Sequence, residues 1–169
     1  MKLGAFCSSV AIVVLMMTCG GAHAMDDEEA RGTLRGLKGV CVAVEQLDEE
    51  AVKDGLTLDT INTDVELKLR LAGIRVLSYQ EWLKEPGAPH LFVSVRVFKL
   101  KPRGGYLYNV QVALRQTVSL GRSPAVTAIG QTWDTGYVGV SPELKDVREH
   151  TKDRVDDFIN AYLSVNPKK

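Results

Sequence analysis

Apolar residues recur along this chain in three rhythms, and each predicts a different kind of element. The first is an unbroken run, VAIVVLMM at residues 10–17, preceded by Lys2 and followed by small residues up to Ala22-His23-Ala24. A basic start, a short greasy core and an A-x-A exit form the pattern of a secretory signal peptide cleaved after Ala24. A permanent membrane anchor needs about 20 apolar residues, more than this core supplies. The second rhythm has period two. Residues 37–47 place Val40, Val42 and Val44 on one face, and Cys41 and Ala43 on the other. Residues 91–100 are rich in Val and Phe. In residues 106–120, Tyr106, Tyr108, Val110, Val112, Leu114 and Val118 oppose Asn109, Gln111, Arg115, Thr117 and Ser119. Such alternation predicts antiparallel strands with one side on a core and the other wet. Gly104-Gly105 and residues 121–124 supply the turns, and a third strand follows at about 126–137.

The third rhythm is helical. Leu58, Ile61, Val65, Leu69 and Ala72 share one helix face, with Thr57 or Asp59 at its start and Gly73 past its end. Leu144, Val147, Thr151, Val155, Phe158, Ile159 and Tyr162 form a longer stripe ending near Leu163. Ser141 suits its N-cap, Pro142 the first helical position and Glu143 the positive helix end. Residues 74–77 read as a short strand. Trp82 falls in a brief helical turn closed by Pro86-Gly87 and Pro89. Residues 25–36 are charged and lack apolar periodicity, which predicts a mobile leader, and residues 48–55 form an acidic connection. The chain thus divides into a signal peptide (1–24), a flexible leader (25–36) and one α+β domain (37–165). The domain's order is β-α-β-β-β-β-α, with two helices packed on one face of a largely antiparallel sheet.

Composition narrows the possibilities. The 21 basic and 21 acidic residues cancel, so no bulk attraction to nucleic acid or anionic membrane follows. Acids nevertheless dominate residues 45–66, whereas residues 86–133 hold no acid and six bases: Arg96, Lys99, Lys101, Arg103, Arg115 and Arg122. A solvated sheet face and its loops account for these bases, as does a docking surface for an acidic partner. Removing the signal peptide leaves about 145 residues, a single domain that buries roughly 70% of its unfolded surface without needing a disulfide. Cys41 is the single cysteine of that mature chain and reads as a small buried hydrophobe. Cys19, after Met16-Met17-Thr18, offers a second reading as a lipid-attachment site, the one route by which a membrane enters as partner.

Candidate chemistry is sparse. His90, His150 and Cys41 lack the short ligand spacings of zinc or copper sites, so no metal is expected. No G-x-S-x-G elbow occurs. Cys41 with His90 or His150 has the atoms for a thiol–imidazole pair, but a strand-centre thiol among valines has a raised pKa. Adjacent acids, Glu49-Glu50 and Asp156-Asp157, read as solvation. Gly104-Gly105 leads into a strand and not a helix, so it does not cradle phosphate. No cofactor is expected. The best lead is a sheet face: if Val93, Val95 and Val97 point to the helices, Phe92, Ser94, Arg96 and Phe98 point away, beside Asn109, Gln111 and Arg115. Uncovered, that face is a partner surface. A loop or the leader lying across it is the plainer alternative. Aromatics among bases also suit nucleic acid, but an exported protein does not meet it.

The element order, together with Thr132-Trp133, Gly136-Tyr137-Val138-Gly139 and the closing FINAYL of residues 158–163, resembles the TolB amino-terminal domain. Related bacterial envelope domains include lipoproteins that assemble the cell wall or outer membrane. The resemblance implies a module that binds partner proteins and has no active site. The expectation is therefore a non-enzymatic periplasmic protein recognising another envelope protein. The alternative is a small-ligand or lipid-binding protein with a cleft between helices and sheet.

Overall fold

Four strands make one sheet in the order β1-β2-β3-β4, where β1 is Cys41–Val44, β2 His90–Lys99, β3 Tyr106–Leu120 and β4 Ser123–Ser141. The computed structural model describes residues 25–102 and 104–167; residues 1–24, expected as a signal peptide and including Cys19, lie outside them. β1 runs parallel to β2, and β2-β3-β4 form an antiparallel meander. The fold is α+β, as the alternating rhythms predict. Gly104 and Gly105, at φ +78 and +84, make the β2–β3 turn in a conformation that residues with a side chain rarely adopt.

One face of the sheet carries the core. Leu91, Val93, Val95 and Val97 of β2 point there, as do Tyr108, Val110, Val112 and Leu114 of β3, and all are buried. Two long helices cover them: α3 (Leu58–Leu71), through Ile61, Val65 and Leu69, and α5 (Leu144–Val165), through Val147, Thr151, Val155, Phe158 and Ile159. At the start of α3, the Thr57 side chain accepts a hydrogen bond from the Thr60 amide. Trp133 of β4 is fully buried and meets Phe158 edge to face, with centroids 5.4 Å apart. α5 begins two residues later than expected, with Glu143 at its N-cap. Ser141 still shapes the entrance, accepting from the Glu143 amide (3.0 Å) and donating to Asp146 (2.5 Å).

Three expectations are corrected. Residues 25–36 are not a mobile leader: they contain α1 (Glu28–Gly32), whose N-cap Asp27 accepts from the Ala30 amide at 2.8 Å. Ala30 and Leu34, four apart, bury one apolar edge in the core. Two apolar residues are too few to register as periodicity, which is why the segment reads as polar. The acidic connection likewise contains a one-turn helix, α2 (Glu49–Lys53), anchored by buried Ala51. Residues 74–77, expected as a strand, contribute a single parallel bridge between Val76 and Val40. The five-strand order thus contracts to four. α4 (Tyr79–Trp82), opened by a Ser78–Glu81 capping box, then crosses to the opposite face of the sheet at the β1 edge, where it meets Cys41, Ala43 and His90.

β3 and β4 outrun β2. Beyond Arg115, residues 116–120 have β4 as their one ladder partner, forming a two-stranded arm that exposes Val126 and Ile129 and is tied at its base by the Thr117 amide donating to the Gly87 carbonyl at 2.7 Å.

Candidate functional site

The outer face of the sheet, turned away from α3 and α5, is set by the alternate residues of the same strands. Its rows follow from the register. Phe98, Leu107 and Val140 lie side by side across β2, β3 and β4; then Arg96, Asn109 and Val138; then Ser94, Gln111 and Gly136; then Phe92, Ala113 and Asp134. His90 and Arg115 close the array. All six residues singled out in the sequence, Phe92, Arg96, Phe98, Asn109, Gln111 and Arg115, therefore occupy one face.

Their environments differ. Phe92 is half-buried under the Arg115 guanidinium, which stacks 3.5 Å from its ring centroid. A cation over an aromatic face is attracted by the ring quadrupole, so these two side chains satisfy one another. Arg96 pairs with Glu45 at 2.6 Å, and Glu45 also accepts from the Ser94 hydroxyl at 2.6 Å. Gln111 reaches toward Asp134. The middle of the face is thus a polar band closed on itself.

The end of the face is different. Phe98 is 57% exposed, Val138 56% and Val140 66%, with Leu107 exposed between them. These four apolar side chains are register neighbours, a continuous strip against water. Alternation places Leu107 on the face of Asn109, so the sequence contained that signal. Val138 and Val140 lie beyond the expected end of their strand and were missed. The strip adjoins the outer edge of β4, a strand with Asp134 as its single charged residue. Edge strands are ordinarily protected by charge, proline or bulges. Residues 135–141 have none of these.

Among the described residues, most bases of the acid-free stretch are engaged within the molecule. Lys99 bonds Asp54 at 2.7 Å and Lys101 bonds Glu50 at 3.2 Å, so acids and bases widely separated in sequence neutralise each other in space. The Lys99 bond, then that from the Tyr106 hydroxyl, holds the Asp54 carboxyl below its ordinary pKa.

A second concavity lies at the β1 edge, about 280 Å³, lined by Cys41, Ala43, Tyr79, Trp82 and His90 with almost wholly apolar atoms. Burial, then the charge of Glu66, pushes the Cys41 thiol up. Burial lowers the His90 pKa; the Ala88 backbone opposes that shift and the Arg115 charge adds to it. A neutral thiol beside a neutral imidazole has little nucleophilic character. His150 packs in a triangle of rings: it stacks on Tyr137 at 4.4 Å and lies 5.9 Å from Tyr108, while the two tyrosines are 6.0 Å apart. Among the described residues no group of three or more His, Cys, Asp or Glu is placed to hold a metal ion, and no helix is long and apolar enough to cross a membrane.

Comparison of the chain with protein-family models, with curated proteins and with solved structures finds no match.

Proposed function

We propose that this protein is an exported, non-enzymatic module of the bacterial envelope that recognises another envelope protein through the outer face of its sheet. The observation that carries the reading is the strip of Phe98, Leu107, Val138 and Val140 beside an uncharged strand edge. An apolar strip next to unpaired main-chain groups suits an incoming extended segment. That segment would hydrogen-bond along β4 and set alternate apolar side chains beside Val138 and Val140. Export supports the same reading, because Ala22-His23-Ala24 closes a signal-peptide pattern. The resemblance of the chain's element order to TolB-like envelope domains accords with it.

The test places a photoreactive residue at Val140 in cells, with Leu71, an exposed apolar position on α3, as control. The expected result is a discrete adduct with one envelope protein from position 140 and none from position 71. Equal labelling from both positions would refute the assignment.

A second reading, a small-ligand protein, is favoured by the concavity at Trp82. It lies between α4 and the outer face, and would take a small apolar group. Its signature is a change in Trp82 emission on adding a short-chain amphiphile, abolished by Trp82→Phe.

A further inference from the structure

Asp134 is 7% exposed, and no basic side chain among the described residues forms an ion pair with it. Its carboxylate accepts two hydrogen bonds, from the Met25 backbone nitrogen at 3.3 Å and from the Gln111 amide at 3.4 Å. As amides both donors are neutral, and both bonds are long. A carboxylate withdrawn from water is destabilising unless a counter-charge sits beside it. Met25 is also the residue that directly succeeds the predicted cleavage motif Ala22-His23-Ala24.

Met25 is held in place by its own contacts and by its downstream neighbours. Its carbonyl accepts from the Asp134 amide at 3.2 Å, closing an antiparallel bridge on the edge of β4. The next residue, Asp26, accepts from Arg31 at 2.7 and 2.6 Å and from Trp133 Nε1 at 2.6 Å. Asp27 then caps α1. Contacts of three successive residues thus hold the Met25 nitrogen against the Asp134 carboxylate.

We propose that signal-peptide removal completes this contact, and that the new amino terminus at Met25 is the counter-ion of Asp134. Hydrolysis of the Ala24–Met25 bond adds one water. Ala24 leaves with the new carboxylate, and the Met25 nitrogen becomes an amine. An α-amine has an ordinary pKa of about 8 and is mostly protonated at neutral pH. The ammonium replaces a long amide bond with a charged one and neutralises the buried acid. Maturation and folding are thereby coupled: the precursor carries an uncompensated carboxylate, and the processed chain does not. This inference rests on the proposed export of the chain.

The test exports three full-length forms and determines the first residue of each by Edman sequencing. They are the wild type, a form with Gly-Ser inserted between Ala24 and Met25, and Asp134→Asn; the double variant completes a cycle. The insertion leaves the cleavage motif intact but moves the free amine two residues away. The wild type is expected to begin at Met25. The insertion and Asp134→Asn should each lower the thermal midpoint by several degrees, and the double variant should fall no further than the worse single one, the mark of coupled partners. If the wild type begins at Met25 yet the insertion form melts with it, the ion pair is refuted and export stands. If the mature chain begins at Cys19, the pair is likewise refuted within an exported protein. An intact Met1 in the cytosol overturns both. Should Asp134→Asn not accumulate, the wild type against the insertion form alone decides.

Discussion

The two faces of the sheet are built from alternate residues of the same strands, yet they are specified in different ways. On the helix side, Leu91, Val93, Val110, Val112, Leu114 and Trp133 are closed off completely by α3 and α5. Shape and apolarity dominate there, with the Trp133 indole donating to Asp26 at the margin. On the outer side, specification is pairwise: Arg115 on Phe92, Glu45 on Arg96 and Ser94, and, under the processing proposal, Met25 on Asp134. What remains on that side after the pairs are formed is the strip at Phe98 and Val140. One face is covered throughout; the other keeps an uncovered apolar strip.

That contrast can be broken most decisively on the covered side. Trp133→Ala removes a fully buried ring packed on Phe158 and the donor to Asp26, and should cost about 3–5 kcal/mol in denaturant unfolding. A loss below about 1 kcal/mol would mean the core is not organised around that ring. Leu34→Ala comes next, at the lower end of about 2–5 kcal/mol, since the side chain is fully buried. A truly mobile amino-terminal segment would show no effect in the same measurement.

Acid titration probes a smaller, local contribution on the outer side. The Ser78 amide first, then the Ser78 hydroxyl and Arg75, lower the Glu81 pKa from 4.5 to about 2. Because the folded-state value is depressed, the stabilisation of the α4 cap is present above pH 4.5 and disappears as pH falls toward about 2. Trp82 emission should therefore change across that interval in the wild type and stay flat in Glu81→Gln. The smallest effects belong to the strip: Phe98→Ser and Val140→Thr should each stay within about 0.5 kcal/mol in thermal or denaturant unfolding. A large loss at either position would show that the strip is structural, and the two faces would no longer be distinct.

Much of the fold was legible because period-two and helical rhythms report burial directly, as at Val93, Val95 and Val97 or at Ile61, Val65 and Leu69. α1 and α2 were not, since each is one turn long and anchored by a residue or two. The strand expected at 74–77 failed because four apolar-rich residues do not fix a ladder; just Val76 bridges Val40. The candidate face was legible as a face, through the parity of Phe92, Arg96 and Phe98. Its division into pairs and strip was not. Glu45 finds Arg96 across 51 residues and Met25 finds Asp134 across 109, and no local pattern encodes such meetings.

The arm formed where β3 and β4 extend past β2 is a ribbon with no third strand to back it. Two strands alone are marginal in water, so beyond the bond from the Thr117 amide to the Gly87 carbonyl this projection should open more readily than the body. Deuterium should enter the amides of Val118 and Ala128 long before those of Val110 and Val112. A protease cutting beside Arg122 should leave a nicked molecule that still unfolds as one unit.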